Sequence, residues 1–133
     1  MKLHLDWAGD GLLFEGALDG GPSITLDGDA QGGASPMQAL LGSVAACMAI
    51  DVVMILQKSR VPVEALRIEA EGDRAEEQPR RFTRIALKYL VRGPQDEHAD
   101  KLQRAVDLSK DKYCSVLHTL KTDIDFSFEI ERE

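Results

Sequence analysis

The chain has 133 residues and a mass of 14.6 kDa, with 44% hydrophobic and 29% charged residues, the profile of one soluble globular domain spanning residues 1–133. Aromatics are only 5%, which argues against a base-stacking platform, and a net charge of −7 repels phosphate backbones and anionic lipid alike. Neither nucleic acid nor a membrane is expected as a partner.

The charge is unevenly spread: residues 1–57 carry one basic side chain, Lys2, against seven acids, whereas residues 58–133 carry 15 bases and 16 acids. Met1–Trp7 alternates apolar and polar residues instead of running into an apolar leader, so a cytoplasmic location is expected.

The first thirty residues read as a strand meander. Leu3, Leu5 and Trp7 alternate with His4 and Asp6, Gly9-Asp10-Gly11 supplies a turn, and Leu12 to Leu18 forms a second strand. Asp19-Gly20-Gly21 turns again before a short third strand, Ser23 to Leu26. After a loop from Asp27 to Ala34 comes the most unusual stretch, Ser35 to Gln57, where Ser35 caps, Pro36 suits the first helical position and nearly everything after is apolar on all faces.

The apolar run Met37–Leu56 is long enough to span a bilayer. Asp51, Ser43 and Gln38 within it, its many alanines and the amphipathic strands on both sides instead predict the buried central helix of a soluble protein. So short a chain has little else to cover such a helix, and a second copy of the chain is expected to supply the cover.

After Val61-Pro62 the β pattern returns. Leu66, Ile68 and Ala70 alternate with charged neighbours, a polar loop runs from Gly72 to Pro79, and Ile85, Leu87, Tyr89 and Val91 mark the second strand of a hairpin. Gly93-Pro94 breaks it, Asp96 to Leu108 has helical spacing, and a further short helix is predicted over Tyr113 to Leu120. Thr122 to Glu131 closes the chain with strict alternation of Ile124, Phe126, Phe128 and Ile130 against polar residues. The order predicts an α+β fold of antiparallel sheets packed around a long buried central helix.

Two cysteines, Cys47 and Cys114, carry the chemical interest; neither lies in a CxxC motif, and in a reducing compartment such a pair is free or redox-active more often than a structural bridge. Cys47, in the middle of the apolar helix, reads either as a small core hydrophobe or as a buried nucleophile. Cys114, at the start of a predicted helix with Lys110 and Lys112 nearby, is expected to have a lowered pKa. His118, four residues later, could share its face, but two ligands do not make a zinc site, and no metal or cofactor is expected. His4 and His98 have no chemical context, and Gly32-Gly33 lacks a phosphate-loop pattern.

The run Ser35-Pro36-Met37-Gln38-Ala39-Leu40-Leu41-Gly42-Ser43-Val44-Ala45-Ala46-Cys47, together with Lys112-Tyr113-Cys114-Ser115-Val116, resembles the OsmC/Ohr family of thiol-dependent hydroperoxide reductases, and more closely its small YhfA-like branch. The resemblance covers essentially the whole chain. It implies an intertwined homodimer with active sites at the subunit interface, with Cys47 as the thiol that attacks peroxide and Cys114 as the one that resolves it. It further implies small organic hydroperoxides as substrates, an external dithiol as reductant, and Met37, Gln38, Leu41, Val44 and Met48 around the substrate.

The sequence departs from that pattern in two places. Active members resemble one another in carrying a Glu directly after the Pro, where this chain has Met37, and an Arg in the N-terminal strands, whereas no Arg precedes Arg60 here. Arg80, Arg81 or Arg84 either replaces the missing cation by reaching the site across the dimer, with Arg81 the candidate for contact with substrate, or is a solvated charge at a strand end. Asp51, one turn beyond Cys47, places a negative charge where it disfavours a thiolate. Three functions therefore stay open: a two-cysteine hydroperoxide reductase, a relative that binds a small apolar ligand without peroxidase activity, and a structural or regulatory dimer with inert thiols.

Overall fold

A computed structural model describes all 133 residues, which form two compact units, Met1–Leu40 and Leu41–Glu133. In the first unit the predicted meander is present. Strands β1 (Leu3–Trp7), β2 (Leu13–Leu18) and β3 (Ser23–Asp27) form an antiparallel sheet in the order β1-β2-β3. Asp27, only 4% exposed, ends the sheet, and its carboxylate accepts the backbone N–H groups of Asp29, Gln31 and Gly32 at 2.9, 3.2 and 2.9 Å. The Gly32, Asp29 and Gln31 amides stabilise the charged form and hold this carboxyl below its ordinary pKa of 3.8, against the opposing effect of desolvation. The side chain thereby organises the loop that leads into the long helix.

That helix, α1 (Pro36–Lys58), opens as predicted: the Gln38 N–H donates to Ser35 Oγ and the Ser35 N–H to Gln38 Oε1, a reciprocal capping box with Pro36 at the first helical position. Val44, Met48, Val52 and Leu56, spaced four apart, are fully buried along one stripe. The opposite side is open, with Ile50 58% and Met54 49% exposed. The helix is long and apolar enough to cross a membrane. Its buried stripe, and a side-chain bond from Asp51 to the body of the second unit, make it that unit's core helix.

The second unit also holds a three-stranded sheet ordered β4-β5-β6, with β4 Ala65–Arg74, β5 Phe82–Arg92 and β6 Asp125–Arg132. Strand β5 is central, and Ile85, Leu87, Tyr89 and Val91 on its inner face are each no more than 2% exposed. The outer face is a charged ladder in which Lys88 bridges Glu129 and Glu131 at 3.2 and 2.8 Å.

Two sequence expectations need correction. The sheet is not wholly antiparallel: β6 pairs parallel with β5, from Arg84↔Asp125 to Val91↔Arg132. The connection from β5 to β6 contains a 3-10 turn (Asp96–His98), α2 (Ala99–Leu108), a π-helical segment (Ser109–Tyr113) and α3 (Ser115–Thr119), long enough for the crossover a parallel pair requires. Side-chain alternation is the same in either direction and carried no sign of it. Secondly, Gly72 lies inside β4 and not in a loop. A Cβ there would come within 2.5 Å of the Phe82 ring, so the glycine leaves room for that ring across the strand pair.

Candidate functional site

The second unit brings together residues that are far apart in the chain. Cys47, half-buried on α1, and Cys114, fully buried at the start of α3, are both free thiols, and Cys47 is near enough to help raise the Cys114 pKa. Val44 and Met48, two of the residues assigned to the substrate, flank Cys47 on the helix and are fully buried; Leu41, one turn earlier, is half-buried. Met37 and Gln38 lie on the first turn of α1, and Gln38 uses its side-chain oxygen in the cap.

Cys114 is held from three directions. Its N–H donates to the Ser109 carbonyl at 2.8 Å, its carbonyl accepts the His118 N–H at 3.0 Å, and its Sγ accepts the Leu117 N–H at 3.3 Å. Ser109, also fully buried, donates its hydroxyl to Asp51 Oδ2 at 2.7 Å. Asp51 sits one turn beyond Cys47, so this bond ties the segment carrying one thiol to the helix carrying the other. The π-helical geometry of Ser109–Tyr113 suits this role, since such wide turns commonly mark functional positions in helices.

The electrostatics of Cys114 reverse the sequence expectation. Burial is the largest influence and pushes its pKa up from 9.0 to about 11; Cys47 and the Asp51 charge push the same way, and only the Leu117 N–H opposes them. A five-residue helix has too few aligned dipoles to offset desolvation. The two lysines are occupied elsewhere, Lys110 beside Asp111 at 3.7 Å and Lys112 over the Tyr113 ring at 5.3 Å.

Arg81 is likewise engaged at the surface, gripping Asp123 through two bonds of 3.1 and 2.8 Å. Arg84 binds Asp73 at 2.6 Å and Glu71 at 3.5 Å, and the Arg80 carbonyl accepts from Arg74. His118, exposed, contacts the Lys110 carbonyl at 2.8 Å through Nε2.

Two residues of the site escaped the sequence reading. Ser109 occupies the next position of the α2 apolar stripe, after Leu102, Ala105 and Val106, and a hydroxyl in such a place was the available signal. Tyr89 alternates with the apolar residues of β5, and its phenol tip was the signal there. The Tyr89 ring packs edge-on against Phe128, centroids 6.4 Å apart, and its hydroxyl is buried with no hydrogen-bond partner. Leaving a buried hydroxyl unpaired costs about 1–3 kcal/mol.

Comparison with known proteins agrees with this architecture. The profile of the OsmC-like protein family matches residues 27–129. Protein YhfA of Escherichia coli K12 is 39% identical over 132 residues, covering 98% of this chain and 97% of that protein. A hypothetical protein from Aquifex aeolicus VF5 is 31% identical, with a TM-score of 0.81 over 99% of this chain and 96% of its own. The organic hydroperoxide resistance protein OhrB of Bacillus subtilis, at 18% identity, shares the fold with a TM-score of 0.63 over 98% and 96% of the two chains. Both thiols lie inside the matched region, on the helix and crossover just described, and the chain belongs to the OsmC-like family.

Proposed function

We propose that the protein is a two-cysteine peroxidase that reduces small organic hydroperoxides, works as a cytoplasmic homodimer and is reset by an external dithiol. The observation that carries this reading is the pairing of two free thiols, far apart in sequence, in one largely buried and apolar place. The Cys47 thiolate attacks one peroxide oxygen. The O–O bond breaks, the alkoxide takes a proton from solvent and leaves as alcohol, and Cys47 retains the other oxygen as sulfenic acid. Cys114 then attacks the Cys47 sulfur to form a disulfide and release water, and the dithiol restores both thiols by exchange.

The environment of Cys114 supports this division of labour. Cys114, with a pKa of about 11, is almost wholly protonated at neutral pH and is suited to the second step, where it need only meet an electrophilic sulfur close by. The apolar neighbours of Cys47 on α1, Leu41, Val44 and Met48, support an alkyl hydroperoxide over hydrogen peroxide as the substrate. The open side of α1 supports the dimer: Ala49, Ile50, Val53 and Met54 form an apolar groove with Val63, Ala65 and Leu66, and a second copy would cover it. The relationship to a protein named for organic hydroperoxide resistance supports the substrate class.

A second reading, an OsmC-like dimer that binds a small apolar ligand without reducing peroxide, draws on the absence of a Glu after Pro36 and on the engagement of Arg81 and Arg84 with surface acids. For Arg81 to serve as the activating cation, it must exchange Asp123 for a partner subunit's thiol site. Thiol titration with and without tert-butyl hydroperoxide separates the readings. Loss of two thiols per chain with release of one tert-butanol supports the peroxidase, and reactive thiols unchanged by the hydroperoxide support the binding protein.

A further inference from the structure

The turn that leads into Cys114 is wider than an α-helical one, and two side chains hold it in place. Its closing bond runs from the Cys114 N–H to the carbonyl of Ser109, five residues back, at 2.8 Å. An α-helical turn would instead send that N–H to the Lys110 carbonyl, four residues back. The Lys110 carbonyl is occupied: it accepts from His118 Nε2 at 2.8 Å, and because a carbonyl only accepts, that nitrogen carries the proton. Ser109, at the start of the turn, is fully buried and donates its hydroxyl to Asp51 Oδ2 at 2.7 Å. Asp51 follows Cys47 by four residues on α1, so the two share a helix face about 6 Å apart. One bond therefore fixes the start of the turn beside the helix of Cys47, and the other engages the acceptor that a tighter turn needs. Winding the turn one residue tighter would carry Cys114 about 100° around the axis, the rotation of one residue.

We propose that Ser109 and His118 are positioning residues: together they keep the Ser109–Tyr113 turn wide, and the wide register is what presents the Cys114 sulfur to Cys47 for disulfide formation. This deepens the peroxidase reading and rests on it for its place in the cycle. There the Cys114 sulfur attacks the sulfur of the Cys47 sulfenic acid, the S–S bond forms as the S–O bond breaks, and the oxygen leaves as water with the Cys114 proton. Ser109 and His118 exchange no proton or electron. They act through the backbone of the turn, which fixes where Cys114 stands before the attack, and a misplacement of about 1 Å costs about 10²-fold in such steps.

The experiment measures disulfide formation without peroxide. Reduced protein is equilibrated at neutral pH with glutathione and glutathione disulfide, which takes up two electrons and becomes two glutathione molecules as the two protein thiols join. Samples are quenched with acid and weighed by mass spectrometry, and the proportions give the effective concentration of the thiol pair. Ser109→Ala and His118→Ala should each lower it about tenfold, the worth of one hydrogen bond. His118→Gln, which keeps an N–H donor at similar reach, should stay within about threefold of the wild type. His118 is exposed, so its variants carry the test even if Ser109→Ala fails to fold. Val106→Ala is the comparison for destabilisation alone, since it opens a cavity on α2 without touching either bond, and its effective concentration should match the wild type. A wild-type value in either alanine variant, no recovery in His118→Gln, or an equal fall in Val106→Ala overturns the assignment. Treating the wild type with tert-butyl hydroperoxide separates the two ideas. If the variants respond as expected in glutathione but the hydroperoxide never produces the disulfide, the peroxidase reading fails and the positioning stands; if the wild type forms no Cys47–Cys114 disulfide at any glutathione ratio, both fail.

Discussion

The bond between Ser109 Oγ and Asp51 Oδ2, at 2.7 Å, is the direct side-chain link between the helix of Cys47 and the segment of Cys114, and its worth can be measured. A hydrogen bond to a charged acceptor contributes about 1.5–3 kcal/mol, and because Asp51 is only half-buried about 2 kcal/mol is the appropriate figure. Asp51→Ala and Ser109→Ala should each lower stability by that amount, a fall in thermal midpoint of about 6–10 °C for a chain of this size. The double variant should lose little more than either single one, giving a coupling energy of about 2 kcal/mol in urea denaturation at fixed protein concentration. Asp51→Asn retains a neutral acceptor and should lose about half as much. It also removes a charge that raises the Cys114 pKa, so thiolate absorbance at 240 nm should develop at lower pH than in the wild type. Additivity of the two alanine substitutions to within about 0.5 kcal/mol, the behaviour of independent sites, would refute the link as an energetic anchor.

Separating the thiols tests their assigned order: Cys114→Ser should consume one equivalent of organic hydroperoxide and stop at sulfenic acid, while Cys47→Ser should consume none above background, and equal activities would reverse or void the assignment. The missing Glu and N-terminal Arg should leave the wild type about 10²-fold slower than a relative carrying both; an equal rate that survives Arg80→Ala, Arg81→Ala and Arg84→Ala would dismiss the hairpin cations. Asp27 has a folded-state pKa below its unfolded value, so its contribution is complete above about pH 4 and is lost as pH falls through the lower folded value; Asp27→Asn should flatten the acid limb of midpoint against pH, and parallel curves would exclude the carboxylate. Cys114 has the opposite sense: its raised pKa means stability is intact below pH 9 and declines towards pH 11, a decline that Cys114→Ala should reduce. Gly72→Ala should cost about 1–3 kcal/mol by pressing on the Phe82 ring, and an unchanged urea midpoint would show that the ring can yield.

Much of the fold was legible in local sequence. Strand and helix periods follow from which residues can face a core, and they placed the meander, the long helix, the hairpin and the last strand within a few residues. The start of α1 was legible for the same reason, since Ser35, Pro36 and Gln38 act on backbone groups within one turn of themselves. The two thiols could be singled out because the residues around each form a recognisable run. What the sequence could not express was anything depending on contact between distant segments. Alternation along β6 is identical for a parallel and an antiparallel neighbour, so only packing of the crossover decided its direction. Lysines near Cys114 and a helix starting beside it argued for an acidic thiol, but desolvation depends on what closes over the sulfur, and tertiary burial outweighed both. Ser109 and Tyr89 looked like ordinary members of apolar stripes; only the folded second unit set the Ser109 hydroxyl against Asp51 and buried the Tyr89 phenol without a hydrogen-bond partner.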